Sequence, residues 1–145
     1  MRPEGRTRQG MSTIKTTIWK TGTLQSYKYV VVCSTYRGKL LLSRHKERTT
    51  WETQGGHIEA AETPLEAAKR ELYEESGAVD FNIEPMCDYE AGGSNGMVFL
   101  ADIHKLDPIP PESEMAEVGE FEELPENLTY PAITPVLFAQ MKTHR

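Results

Sequence analysis

Three glutamates of the 145-residue chain, Glu71, Glu74 and Glu75, stand at positions i, i+3 and i+4 of one segment. On an α-helix that spacing confines them to an arc of about 100°. Like charges so placed destabilise an isolated helix by about 0.2–0.5 kcal/mol per pair. They also stand near its C-terminal end, where the macrodipole disfavours negative charge. A divalent cation reverses the sign of both penalties, and hard carboxylate oxygens at this spacing suit Mg²⁺ or Mn²⁺. The plainer reading is a solvated glutamate-rich face. The context argues against it. Gly55 and Gly56 precede the segment, and bare backbone there lets a carbonyl come close to a ligand. Arg70 flanks the acids, free to pair with one of them or with a phosphate.

The elements that must position these residues are legible around them. Thr63 to Ser76 reads as a helix. Thr63 is its N-cap, Pro64 its first residue, Glu66 the partner in a capping box, and Gly77 the left-handed stop. Leu65, Ala68 and Leu72 form an apolar stripe beside the acids, expected to face a sheet. Ahead of it, Ile14–Leu24 reads as a weak strand and Tyr27–Ser34 as a stronger one. Arg37-Gly38 is a turn, and Lys39–Ser43 is the returning strand. Arg44–Thr50 is expected to be a basic loop and Trp51–Gly56 an extended run. Phe81–Ala91 and Met97–Leu106 read as two strands joined by a turn over Ala91–Gly96. Glu117–Phe121 reads as a short strand. Pro131–Lys142 reads as a final helix with Ile133, Val136, Leu137 and Met141 on one face. That order predicts an α/β fold, one mixed sheet flanked by helices.

Composition narrows the function. Residues 1–48 carry eleven basic and two acidic residues, a charge of +9, while residues 49–145 carry five and twenty, a charge of −15. The net charge of −6 and a pI near 5.3 argue against general nucleic-acid binding. The longest apolar run, Tyr29–Cys33, is too short to span a bilayer, and no secretory leader is visible. Cys33 and Cys87 have neither metal-site nor redox spacing, so two reduced thiols of a cytoplasmic protein are expected. Residues 1–10, rich in arginine and glycine, are expected to form a disordered tail, and residues 11–145 one domain.

The stretch Gly56, Glu62, Arg70-Glu71-Leu72, Glu74-Glu75, Gly77, Ala78 follows the pattern G-x5-E-x7-R-E-U-x-E-E-x-G-U. It resembles the Nudix box, the signature of the MutT-like nucleotide pyrophosphohydrolases, at every invariant letter. Ala78 is small for the final apolar position, and Gln54 stands where many members carry proline. The order of elements extends the resemblance over about Ile14 to Met141 and implies the family's α/β/α sandwich. The resemblance further implies metal-dependent hydrolysis of a nucleoside diphosphate linked to a group X. Glu71, Glu74 and Glu75 then look like metal-binding carboxylates, the Gly55 carbonyl like the backbone ligand, and Glu62, Arg70, Gly56 and Gly77 like supports. One of Glu74 and Glu75 takes a proton from water in that scheme. In some members a glutamate outside the box does so, and Glu114 and Glu117 are the candidates here.

Substrate contacts are less determined. Arg44 and Lys46 in the basic loop could meet phosphates, against a solvated loop as the plain reading. Trp51 is explained equally by base stacking and by packing. Tyr130 could line the pocket, and His57 reads as a loop residue. Three functions stay in view: a nucleoside triphosphate or oxidised-nucleotide pyrophosphohydrolase, an enzyme of RNA 5′ ends, and a silent nucleotide-binding regulator. A homodimer is left open.

Overall fold

In the computed structural model, residues 14–144 are described; the tail expected over residues 1–10 lies outside them. Eight strands form one mixed sheet: β1 (Thr16–Trp19), β2 (Tyr29–Tyr36), β3 (Lys39–His45), β4 (Trp51–Glu52), β5 (Gln54–His57), β6 (Ala78–Ala91), β7 (Ser94–Leu106) and β8 (Met115–Phe121). The helices are α1 (Pro64–Ser76) and α2 (Thr134–Ala139), the latter followed by a 3₁₀ turn over Gln140–Lys142. The central path runs β1-β6-β7-β2-β3-β4, with β5 on β2 and β8 on β3. Only β2 and β7 run parallel among the named pairs.

Strand alternation sorts the core into two layers. Val30, Val32, Leu41, Phe99 and Ala101 face α1, where they meet Ala67, Ala68 and Leu72. Cys33, Leu42, Val98 and Cys87 face the other way, against Leu137 and Phe138 of α2. The result is the expected sandwich. Both cysteines are free and buried.

The strand β2 matters most for the site. Its first half, Tyr29–Val32, pairs with β5, and its second half, Ser34–Tyr36, pairs with β3. The sheet therefore opens beside β2, and Gly55-Gly56 lies at that opening. Helix α1 is held over it by the features legible in its sequence. Thr63 Oγ1 accepts from the Glu66 N–H at 3.1 Å, and Glu66 Oε1 accepts from the Thr63 N–H at 2.9 Å. Gly77 ends the helix at φ 83°, and a Cβ there would run into the Asp107 carbonyl.

Several expectations shift. The buried stripe of α1 is Ala67, Ala68, Leu72 and Ser76, whereas Leu65 is 39% exposed, because contact with the sheet begins only at Ala67. Arg44 and His45 belong to β3, not to a loop, since β8 pairs alongside them. The turn between β6 and β7 contracts to Gly92-Gly93, both at positive φ (55° and 83°), a two-residue connection that matches strand twist. The last helix is half its expected length, and Phe138 joins Leu137 in the core.

The charge asymmetry becomes cross-strand pairing. Arg37 meets Glu120 at 2.8 Å and Arg44 meets Glu117 at 3.0 Å, across the β3 and β8 neighbourhood. The basic early strands and the acidic late strand are thus partly each other's partners. Such exposed pairs contribute about 0–1 kcal/mol each, so their effect is on register more than on stability.

Candidate active site

The Gly55-Gly56 turn and the last turns of α1 enclose a cleft of about 640 Å³, lined also by Arg70, Glu71, Glu74, Glu75 and Glu114. Each glycine has its own reason. Gly55 sits at φ 154°, and a Cβ there would strike the Val30 carbonyl on β2. Gly56 has no unusual φ, but a Cβ would lie 2.7 Å from Glu71 Cδ. Its bareness is what allows the Glu71 carboxylate to lie against the turn. The Gly55 N–H donates to Glu75 Oε1 at 2.9 Å, tying the turn to the helix.

Arg70 organises the acids. Its Nε donates to Glu62 Oε2 at 2.6 Å and its Nη2 to Glu62 Oε1 at 3.0 Å, a bidentate fork. Its Nη1 reaches Glu71 at 3.0 Å and Glu74 at 3.3 Å. Glu62 is itself held by the Glu59 N–H at 2.9 Å. The Arg70 fork and that N–H hold the Glu62 carboxyl down to about 2. Its stabilising contribution is therefore full above the ordinary 4.5 and is lost as pH falls through 2. Glu62→Gln is expected to flatten the acid limb of a stability-versus-pH curve below pH 4.5, read from urea midpoints; an unchanged limb would contradict the fork's role.

The box acids behave oppositely. Burial pushes the Glu71 carboxyl up, with Arg70 opposing the shift. Burial pushes Glu75 up to about 9; the Gly55 N–H opposes this, and the charges of Glu71, Glu52 and Glu114 add to it. Glu74 is the open member, its side chain 48% exposed.

A buried chain of hydrogen bonds anchors this arrangement from behind. Ser34 Oγ donates to Gln54 Oε1 at 2.6 Å, Gln54 Nε2 donates to Ser43 Oγ at 2.9 Å, and Ser43 Oγ donates to the Glu75 carbonyl at 2.8 Å. Ser34, Ser43 and Gln54 are all fully buried. Gln54 thus does with hydrogen bonds what a proline would do by rigidity, fixing the approach to Gly55. Gln54→Leu keeps the volume and leaves two buried hydroxyls short of a partner. It is expected to cost about 1–3 kcal/mol, measured by denaturant unfolding.

The donor set suits a hard divalent cation. Carboxylates crowd around Gly55-Gly56, and two of them, Glu71 and Glu75, are driven towards protonation by burial first and by neighbouring acids second. Among the described residues no three such groups already converge on one point; Arg70 stands between Glu71 and Glu74 instead. Glu71, Glu74 and Glu75 line one cleft together with Gly55.

Beyond the cleft, the other expected site residues disperse. Glu114 lines the cleft, whereas Glu117 faces Arg44. Arg44 also donates to the Arg48 carbonyl at 3.0 Å. The Lys46 side chain is exposed. Trp51 packs edge-on against Phe121, centroids 5.0 Å apart, inside the second core layer. His57 lies in β5, its ring tilted on Tyr29 at 4.5 Å. Tyr130 lines a second cavity of about 360 Å³ on the other side of the glycine turn. Sequence reasoning missed that cavity and its buried Glu52. A lone acid after Trp51 reads as an ordinary exposed strand position, and only the long-range contact with Thr129 reveals otherwise.

Among the described residues no helix is long and apolar enough to cross a membrane. The NUDIX domain family model matches residues 27–137. A Bacillus subtilis (strain 168) protein named "Putative 8-oxo-dGTP diphosphatase YtkD" is 36% identical over 108 residues, 72% of this chain and 68% of that protein. The crystal structure of the Bacillus subtilis pyrophosphohydrolase BsRppH superposes with a TM-score of 0.75 at 28% identity, covering 90% of each chain. A NUDIX-family hydrolase from Clostridium perfringens shares the fold at a TM-score of 0.66 and 20% identity, over 83% of this chain and 99% of that one. Box, sandwich and matches agree, and the chain belongs to the Nudix hydrolase family.

Proposed function

We propose that this enzyme hydrolyses the diphosphate linkage of a nucleoside triphosphate, including oxidised forms, and releases a monophosphate. Mg²⁺ or Mn²⁺ would be held by Glu71, Glu74, Glu75 and the Gly55 carbonyl. The observation that carries this reading is the crowding of those acids against the Gly55-Gly56 turn, with the Glu75 carboxyl pushed up to about 9 by burial. A cation bound there would supply charge neutralisation on the diphosphate and lower the pKa of the attacking water. The protein's own groups do the rest. Arg70 spaces Glu71 from Glu74 and keeps both aimed into the cleft. In this reading Glu74, the most solvent-open of the three, would accept a proton from water. Glu114, across the cleft, is the alternative acceptor.

The similarity to a protein named for 8-oxo-dGTP supports a triphosphate substrate. An RNA 5′ end draws its support from the basic N-terminal half; three of its eleven basic residues are already committed, and these include both arginines of the Arg44–Arg48 segment expected to meet phosphates: Arg37 to Glu120, Arg44 to Glu117 and Arg48 to Glu52. A mononucleotide is therefore preferred, and binding to 5′-triphosphate RNA is expected to show only a shallow salt dependence. The test is phosphate or pyrophosphate release from a panel of canonical and oxidised nucleotides, ADP-ribose and dinucleoside polyphosphates with Mg²⁺ or Mn²⁺. Turnover of a triphosphate, abolished by chelator and by Glu74→Gln, is the expected result. No turnover of any member, with Glu74→Gln indistinguishable from the parent, overturns the proposal.

A further inference from the structure

Glu114 reaches the acidic cleft from the segment that leads into β8, whereas Glu71, Glu74 and Glu75 reach it from α1. Its charge is one of those that raise the Glu75 carboxyl, so the two carboxylates feel each other. Yet the Glu114 side chain is 81% exposed, and a glutamate so open has many rotamers that point away from the cleft. What restrains it lies at the end of β3. The Lys46 N–H donates to the Glu114 carbonyl at 2.9 Å, fixing the backbone. Beside that bond the β3–β8 register slips. Arg44 stands opposite Glu117 and His45 opposite Met115, which leaves Ala116 as the extra residue of a bulge. Bulges bend a strand and re-aim its side chains. Ser113 Oγ accepts from the Met115 N–H at 3.1 Å, closing the segment around Glu114.

One side chain meets the carboxylate itself. His45 Nε2 lies 3.7 Å from Glu114 Oε1, and among the described residues no other side chain pairs with that carboxylate. At this separation the contact is electrostatic, beyond hydrogen-bond length. His45 is held in turn. Its side chain is only 19% exposed, its Nδ1 accepts from the Glu47 N–H at 3.1 Å, and its carbonyl accepts from the Arg48 N–H at 3.0 Å. The bond from Glu47 sets the tautomer. A ring nitrogen that accepts carries no proton, so the neutral imidazole has its N–H at Nε2, the atom that faces Glu114. Residues 45–48 thus aim one donor at one carboxylate.

Resting on the reading above that the cleft hydrolyses a diphosphate, with Glu114 as the alternative proton acceptor, we propose that His45 is a positioning residue whose Nε2–H holds the Glu114 carboxylate over the cleft for that step. The proton of the attacking water passes to a Glu114 oxygen as the water oxygen bonds to phosphorus and the bond from phosphorus to the leaving oxygen breaks. His45 takes no proton and touches no substrate. Such a contact adds little to stability, because Glu114 is exposed. Its effect is on placement, and an acceptor displaced by about 1 Å loses up to about 10²-fold in rate.

Two measurements on the whole protein test this. The first needs neither metal nor turnover. Long-range ¹H–¹⁵N spectra of the metal-free protein at pH 8 are expected to show the His45 proton at Nε2. Glu114→Gln should move the His45 Nε2 resonance and leave those of His57, His104 and His144 in place. A proton at Nδ1, or a resonance indifferent to Glu114→Gln, overturns the proposal. The second is steady-state hydrolysis of 8-oxo-dGTP and dGTP with Mg²⁺. His45→Asn keeps an acceptor for the Glu47 N–H but reaches no further, and should lower kcat about tenfold with KM within about twofold. His45→Gln sets an amide N–H where Nε2 stood and should recover most of that loss. In a Glu114→Gln background His45→Asn should cost nothing more, because residues that act through one another are not additive. Hydrolysis that ignores His45→Asn, a loss undiminished in His45→Gln, a rise in KM alone, or the full loss repeated in the Glu114→Gln background sinks the positioning role and leaves the hydrolase reading intact. Hydrolysis of neither nucleotide, with the spectra as expected, leaves His45 holding Glu114 and sinks the triphosphate reading instead.

Discussion

Replacing Glu75 by glutamine is expected to lower kcat by about 10²–10⁴-fold while making the metal-free protein more stable at high pH. The two effects have one origin. Glu75 is the most desolvated acid of the cleft, and its carboxyl titrates near 9 instead of its ordinary 4.5. Between those values the folded metal-free protein holds a proton that the unfolded chain releases. Its stability therefore falls as pH rises from 4.5 through 9. A divalent cation held by Glu75, as proposed, would take the place of that proton and remove the penalty. The parent protein should gain more stability from added Mg²⁺ or Mn²⁺ at pH 8.5 than at pH 6. Glutamine keeps the size of the side chain and an oxygen for the Gly55 N–H, but carries no proton to lose. The variant should show a flatter stability curve across this window, a smaller metal-induced shift, and little turnover. Thermal melts at two pH values with and without metal read the first two effects, and single-turnover kinetics the third. A variant that keeps both the parent's metal-induced shift and its turnover would remove Glu75 from the site. The opposite signs separate this outcome from simple misfolding, which would lower stability and activity together. Functional carboxylates crowded in this way commonly reduce the stability of the fold that holds them.

How much of this was legible before the fold was known depends on the range of the interaction. The helix could be read to its ends because Thr63, Pro64, Glu66 and Gly77 act within a few residues. The shared face of the box acids could be read because i, i+3 and i+4 spacing fixes it within one helix. The arginine fork could not be read in full. Glu62 stands eight residues from Arg70, and its bidentate geometry depends on how the intervening loop folds back. The basic residues were the least legible. Arg44 looks like a phosphate ligand in a loop until the β3–β8 register sets it opposite Glu117, seventy-three positions away. Leu65 looks buried by periodicity, yet the sheet does not extend under the first turn. Glu52 and Gln54 carry the same lesson. Each is polar, each is buried, and each is explained only by partners far along the chain or on other strands. A periodic pattern reports which face of an element is apolar, not which polar residues have been enclosed with their partners.

The neighbouring glycines give the second large expected effect, and they should fail differently. Gly55→Ala places a methyl group against the Val30 carbonyl, with Val31 Cα 3.1 Å away, at a φ of 154° that side chains rarely adopt. Neither obstacle can move, because both belong to the β2 backbone that β5 pairs with. The expected cost is about 3 kcal/mol of stability, from backbone strain and overpacking together. Gly56→Ala meets no backbone. Its methyl group would collide with the Glu71 carboxylate, the far end of a flexible side chain. The fold should tolerate it, and Glu71 should swing out of the turn. If Glu71 is a metal ligand as proposed, displacing it is expected to cost about 10–100-fold in metal affinity and activity. Urea unfolding without metal should therefore separate the pair, with Gly55→Ala shifted strongly and Gly56→Ala close to the parent. Metal titration of the folded Gly56→Ala protein should then show the weakened site. Were Gly56→Ala to unfold as readily as Gly55→Ala, the glycine would be serving the strand and not the carboxylate. Were it to bind metal like the parent, Glu71 would not need the position it occupies. The two substitutions thus divide one short turn into a residue that builds the sheet's opening and a residue that makes room for the chemistry placed there.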